Sequence, residues 1–186
     1  MVTLGHSFGE LGMALQAAAG VAVHLGRAER ARDLAEQVLD RHLATGVVSS
    51  EGVVLKALAM AQLGALDEAL AAIESIDVID FPFGRAARAL VRSVTNDDDG
   101  ARQDADAVDA MLRPSYFDQA VAQLSRVLVA PEGSPERDGA LVIFTKLVTA
   151  VGDVPMLAVA DALNGGHPDD RSGWLTLVGR AALPTG

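Results

Sequence analysis

The chain has 186 residues, half of them hydrophobic and 4% aromatic, with no cysteine and a formal net charge of -10. So much apolar residue excludes intrinsic disorder, and the missing cysteines exclude a disulfide framework or a thiolate zinc site. The acidic balance argues against a polyanionic partner such as DNA or RNA. A chain of this length buries one sizeable core, and alanine, the best helix former, is its commonest residue, so an all-α fold is expected.

At the N-terminus no charged segment leads into an apolar core, because Gly5, His6, Ser7, Gly9 and Glu10 interrupt it. Nowhere does the chain approach the ~18 uninterrupted apolar residues of a membrane span, and a cytoplasmic protein is expected. Residues 15–38 read as an Ala-rich helix, a turn at Gly26 and a second helix; residues 55–76 read as the same unit, turning at Gly64. Between them Ser49 and Ser50 precede an apolar-periodic run through residue 63. Further on, Pro82 opens a run through residue 94, and Ser115 precedes one through residue 129. Ser134, Pro135 and Glu136 combine a capping hydroxyl, proline at the first helical position and an acid in the first turn. Residues 142–148 have strand-like composition, but apolar residues continue through Val151 behind that capped start, which favours a buried helix. Pro155 and Pro168 open two more helices, and Gly26, Gly46, Gly64 and Gly165 stand where helices should stop.

First helices then begin near residues 7, 50, 82, 115 and 155, and second helices near 28, 66, 100, 135 and 169. Second helices recur every ~34–38 residues, the mark of a repeat array in which stacking of hairpins supplies the core. The expectation is one domain over residues 1–186, an α-solenoid of about five antiparallel hairpins, most repeat-like over 7–80 and divergent over 81–186.

The hairpin over residues 53–76 resembles a tetratricopeptide repeat. Ala57 and Met60 fall at the small and large positions of its first helix, and Gly64, Asp67, Glu68, Ala69, Ile73 and Ile76 follow the turn and second helix. Ala19, Ala22, Gly26, Ala31, Ala35 and Val38 fit the same template in the first hairpin. The aromatic residues usual at several core positions are replaced by Ala, Val, Ile or Met, and the later hairpins fit by helix spacing alone. The resemblance implies a superhelix whose first helices line a groove that holds peptides or extended segments of partner proteins. Similar Ala-rich arrays look like the C-terminal portions of large bacterial signalling ATPases and transcriptional regulators, which implies a regulatory domain acting by self-association as the alternative.

Arg85, Arg88 and Arg92 share one face of the helix opened by Pro82, opposite Ala87, Leu90, Val91 and Val94. Laid on the repeat template they fall at groove-lining positions, where guanidinium forks suit carboxylates, and an acidic partner segment is the expected ligand. Weighed against it is a solvated face paired with neighbouring acids such as Asp97, Asp98, Asp99 and Asp104. The same mapping puts Met13, Gln16, His24, Glu51, Val54, Leu58 and Gln62 along the groove of the first two repeats.

Residues 5–10, GHSFGE, resemble the nucleophile elbow of acyltransferases and α/β-hydrolases, which implies a remote serine esterase reading for Ser7, with His167 and Asp161 or Asp169 as partners. That chemistry needs a buried strand before the serine and an upstream oxyanion donor, so Ser7 reads better as a cap or first-turn residue. Residues 96–100, NDDDG, lack the first acid and the last glutamate of a calcium loop and read as a helix-capping loop. His6, His24, His42 and His167 have no ligand spacing, so no metal is expected. Tyr116 and Trp174 read as packing anchors, no cofactor motif occurs, and no catalysis is expected. A non-enzymatic protein-binding module, free or as a homodimer, is the function this reading favours.

Overall fold

The computed structural model describes residues 3–44, 46, 48–78 and 81–165, with side chains from Glu10 onward. Among the described residues every regular element is an α-helix: α1 (Thr3–His24), α2 (Ala28–Leu43), α3 (Ser50–Gln62), α4 (Leu66–Glu74), α5 (Pro82–Val94), α6 (Asp98–Ala110), α7 (Tyr116–Val129), α8 (Pro135–Val151) and α9 (Val154–Gly165). The start signals act as read. The Ser49 hydroxyl accepts from Gly52 N, Ser134 accepts from Arg137 N, and Ser115 and Asp118 form a reciprocal capping box. Each such cap satisfies a backbone donor that the first turn leaves open and contributes about 1 kcal/mol. The strand-like residues 142–148 lie inside α8. The helix expected after Pro168 lies outside the described residues.

One turn recurs at three helix–helix junctions. After α1, α3 and α8 a glycine takes a left-handed conformation (Gly26 φ 63°, Gly64 φ 82°, Gly152 φ 71°). The next residue's N–H then reaches back to a carbonyl five positions earlier: Arg27 to Ala22, Ala65 to Met60, and Asp153 to Val148. Together these are the Schellman closure, which satisfies carbonyls that a helix end leaves open. After α5 the same role falls to Asn96 (φ 63°), with Asp97 N bonded to Arg92 O, because asparagine tolerates the left-handed region. This substitution corrects the expected start of the next helix. Asp97 caps α6 through Gly100 N, and Asp98 and Asp99 supply its acidic first turn, so α6 begins at Asp98 rather than near residue 100.

Packing is both sequential and alternate. Each helix packs on the next; α5 also takes α3 and α7, and α1 packs on α3 as well as α2. The core is Ala- and Val-rich, and it runs without a break from Ala19 in α1 to Leu163 in α9. The repeat-template residues Ala19, Ala22, Ala31, Ala35, Val38, Ala57, Ala69 and Ile73 are all buried, and Met60 and Ile76 pack against them. Small side chains let helices approach closely: a Cβ on Gly52 of α3 would stand 3.1 Å from Val38 of α2. α5 is also well enclosed. Ala86, Ala87, Ala89, Leu90, Val91 and Val94 are buried, and its arginine face is covered too.

Candidate functional site

The arginine face of α5 is turned onto α6. Arg85 Nη1 donates to Asp104 Oδ1 at 2.7 Å, Arg88 Nε and Nη2 donate to the two oxygens at 2.7 Å each, and Arg92 Nη1 donates to Oδ2 at 3.0 Å. Four donors fill the four acceptor positions of one carboxylate whose side chain is 1% exposed. Arg92 also pairs with Glu74 at 2.9 Å and Asp97 at 3.4 Å, so three guanidinium charges meet three carboxylates. Burial pushes the Asp104 carboxyl up, but the hydrogen bonds of Arg88 and Arg85 and the charges of Arg88 and Arg92 outweigh it, and it sits below its ordinary value. Arg88 is raised in turn, first by its bond to Asp104, against the opposing effect of burial. The template mapping put these three arginines along a groove. In the structure they are 16–18% exposed and engaged by the protein's own acids, Asp104 and Asp97 among them.

An open space lies elsewhere, on the side where α1, α3, α5 and α7 approach one another. It is a cleft of about 460 Å³ lined by Met13, Gln16, Ala17, Gly20, Val21, Val23 and His24 of α1, Glu51 and Leu55 of α3, Phe83 of α5, and Tyr116 and Phe117 of α7. Gly20 leaves this wall without a side chain, and a Cβ there would meet nothing nearer than Leu55 Cδ2 at 3.9 Å. Beneath His24, Phe83 and Phe117 lies an apolar recess of about 30 Å³ that Leu58 and Gln62 also line. Gln62 donates from Nε2 to Val23 O at 2.9 Å, while its buried Oε1 has no partner among the described residues.

Four aromatic residues, Phe81, Phe83, Tyr116 and Phe117, gather here. Phe83 and Phe117 lie 6.2 Å apart between ring centroids, Tyr116 and Phe117 6.4 Å, His24 and Phe117 5.5 Å, and Phe81 packs edge-on to Phe83 at 5.9 Å. A buried carboxylate holds the shelf in place. Asp153, preceding α9, accepts from Tyr116 OH at 2.9 Å and from Met156 N at 3.2 Å, and pairs with His24 Nε2 at 3.0 Å. It thereby ties the end of α1, the start of α7 and the start of α9. Burial, then the hydrogen bond to Asp153 and its charge, push the Tyr116 phenol up to about 12.

Of the residues mapped from sequence to the groove, the structure places Met13, Gln16, His24 and Glu51 around the cleft and Leu58 and Gln62 in the recess, while Val54 is fully buried. Phe83, Phe117 and Asp153 were not singled out, and Tyr116 was read only as packing. The Asp-Val-Pro pattern at 153–155 carried a capping signal, but nothing local in sequence ties Asp153 to His24. Ser7 falls within the helical span of α1, among residues whose side chains are not described, and Asp161 lies on α9. His167, Asp169 and Trp174 lie outside the described residues. Among the described residues no three His, Asp or Glu side chains gather to hold a metal ion, and no helix is long and apolar enough to cross a membrane. No known family, curated protein or solved structure matches the chain.

Proposed function

We propose that the chain is a non-enzymatic interaction module, a tetratricopeptide-like stack of antiparallel hairpins that holds a peptide or an extended segment of a partner protein in the cleft between α1, α3, α5 and α7. The carrying observation is the cleft itself. Its walls are the odd-numbered helices, which are the first helices of the hairpins, and its lining is apolar with Gln16, His24, Glu51 and Tyr116 among it. Mostly apolar concavities with a few placed polar groups are where ligands bind. The left-handed turn after α1, α3 and α5 supports hairpins over the first six helices, whereas α7 ends in an extended residue and the turn returns after α8.

Selection of binders from a random peptide library tests this reading. Peptides selected on the wild type should lose binding to Gly20→Leu, which fills the cleft where the wall is open, and keep it with Arg88→Lys. Selected peptides that bind both wild type and Gly20→Leu alike would contradict it.

A further inference from the structure

We infer that the cleft selects a cationic, apolar segment: one in which leucine-like side chains enter the space while a lysine or arginine lies against the aromatic shelf and Glu51. The inference rests on the cleft being the binding site. Its first ground is charge. Among the described residues that line the cleft there is a carboxylate, Glu51, and neither lysine nor arginine. Lys56 pairs with Glu36 at 3.1 Å and Arg85, Arg88 and Arg92 converge on Asp104, while Arg27 and Arg30 line a separate groove beside the cleft that shares Ala17 and Val21 with it. With a net charge of -10 over the chain, an acidic segment would meet repulsion both locally and at long range, and a basic one would be drawn in.

The second ground is the shelf. Phe83, Tyr116 and Phe117 line one side of the cleft within 6.4 Å of one another in sequence of contact, in a chain only 4% aromatic. Aromatic faces carry negative electrostatic potential and attract ammonium and guanidinium groups. Because the Tyr116 hydroxyl already donates to Asp153, what the residue offers a ligand is its ring and the remaining acceptor capacity of its oxygen. The recess beneath adds one acceptor. Gln62 Oε1 is buried beside the recess and lacks a donor, and a buried acceptor in that state favours a ligand bearing N–H groups. Charge, aromatic surface and the orphaned acceptor all point to a donor-rich cation on an apolar body.

Fluorescence anisotropy of a labelled peptide of leucine and lysine in helical spacing, and of the same peptide with glutamate in place of every lysine, tests the inference. The lysine peptide should bind at least about tenfold more tightly, a difference of ~1.4 kcal/mol. Glu51→Lys should weaken it about tenfold, and Glu68→Lys, an equal charge change on exposed α4, should leave it within about twofold. Gly20→Leu should abolish binding while circular dichroism shows unchanged helix content. The inference is overturned if the glutamate peptide binds as well, or if Glu51→Lys and Glu68→Lys weaken binding equally, which is general attraction to an acidic protein. Self-association of the wild type that Gly20→Leu removes would give the cleft to a second copy and overturn it too. If an acidic or uncharged peptide binds and Gly20→Leu abolishes that, the cleft stands as the site and only the cationic preference fails. If the lysine peptide binds Gly20→Leu unchanged, the cleft reading itself falls.

Discussion

The two faces of α5 carry opposite lessons about polar and apolar surface. On one, three arginines and Asp104 form the densest charge cluster of the described residues, and it is closed: every acceptor position of the carboxylate is filled from within the chain. On the other side Phe83 reaches a cleft lined mostly by apolar and aromatic side chains, with Gln16, His24 and Glu51 among them, and among the described residues it stands open. A row of charges in this sequence thus marks an internal tie between α5 and α6, and the quieter positions of α1 and α7 border the open concavity. Matching charge inside a fold removes it from the surface, whereas an apolar concavity has no internal partner to satisfy it.

Removing Asp104 should break this contrast most severely. Asp104→Ala leaves three guanidinium groups facing one another without their shared acceptor, and urea unfolding should show a loss of about 3–5 kcal/mol. Its folded fraction should bind cleft ligands as the wild type does, since Asp104 does not line the cleft. Acid should act through the same carboxylate. Its pKa is lowered on folding, so its contribution is complete above the unfolded value near 4 and is lost as the pH falls through the lower folded value. Stability measured across that range should therefore drop steeply in the wild type and far less in Asp104→Asn.

The cleft has its own reporter, because Tyr116 is the single tyrosine. Phenolate absorbance at 295 nm should rise with a midpoint of about 12, and Asp153→Asn should bring it back toward the ordinary 10.0. The sign is opposite to that of Asp104: a phenol raised on folding contributes fully below its unfolded pKa, and the contribution is lost as the pH rises through the folded value. The smallest effect belongs to Gly20→Ala. With only Leu55 Cδ2 at 3.9 Å in the way, the methyl group should raise stability by about 0.5–1 kcal/mol through helix propensity, read as a higher urea midpoint, while narrowing the cleft slightly.

Much of the scaffold was legible in sequence because its signals are local. Ser49, Ser115, Ser134 and Pro82 act within one turn of helix, and their helices begin where those residues imply. Residues 96–100 read as a helix-capping loop, as the structure shows, but the left-handed turn at Asn96 does not announce itself because glycine is the usual occupant of that conformation. The site was legible only in part, since helical spacing says which residues share a face but not which helix that face meets. Arg85, Arg88 and Arg92 share one side of α5 as read, and Asp104 was among the acids weighed as their partners; that the pairing is buried and not solvated depends on rotation of α6 against α5. Likewise His24 and Asp153 come together only when α1, α7 and α9 are packed, and no pattern in either neighbourhood announces the pair.

The claim that the cleft, and not the arginine cluster, is the binding surface is tested most directly by mapping backbone and ring resonances of the labelled protein while the leucine–lysine peptide is added. Shifts should centre on Val21, Glu51, Phe83, Tyr116 and Phe117, with Arg88 and Asp104 unmoved. Shifts that centre instead on Arg85, Arg88, Arg92 and Asp104, with the aromatic shelf silent, would contradict it.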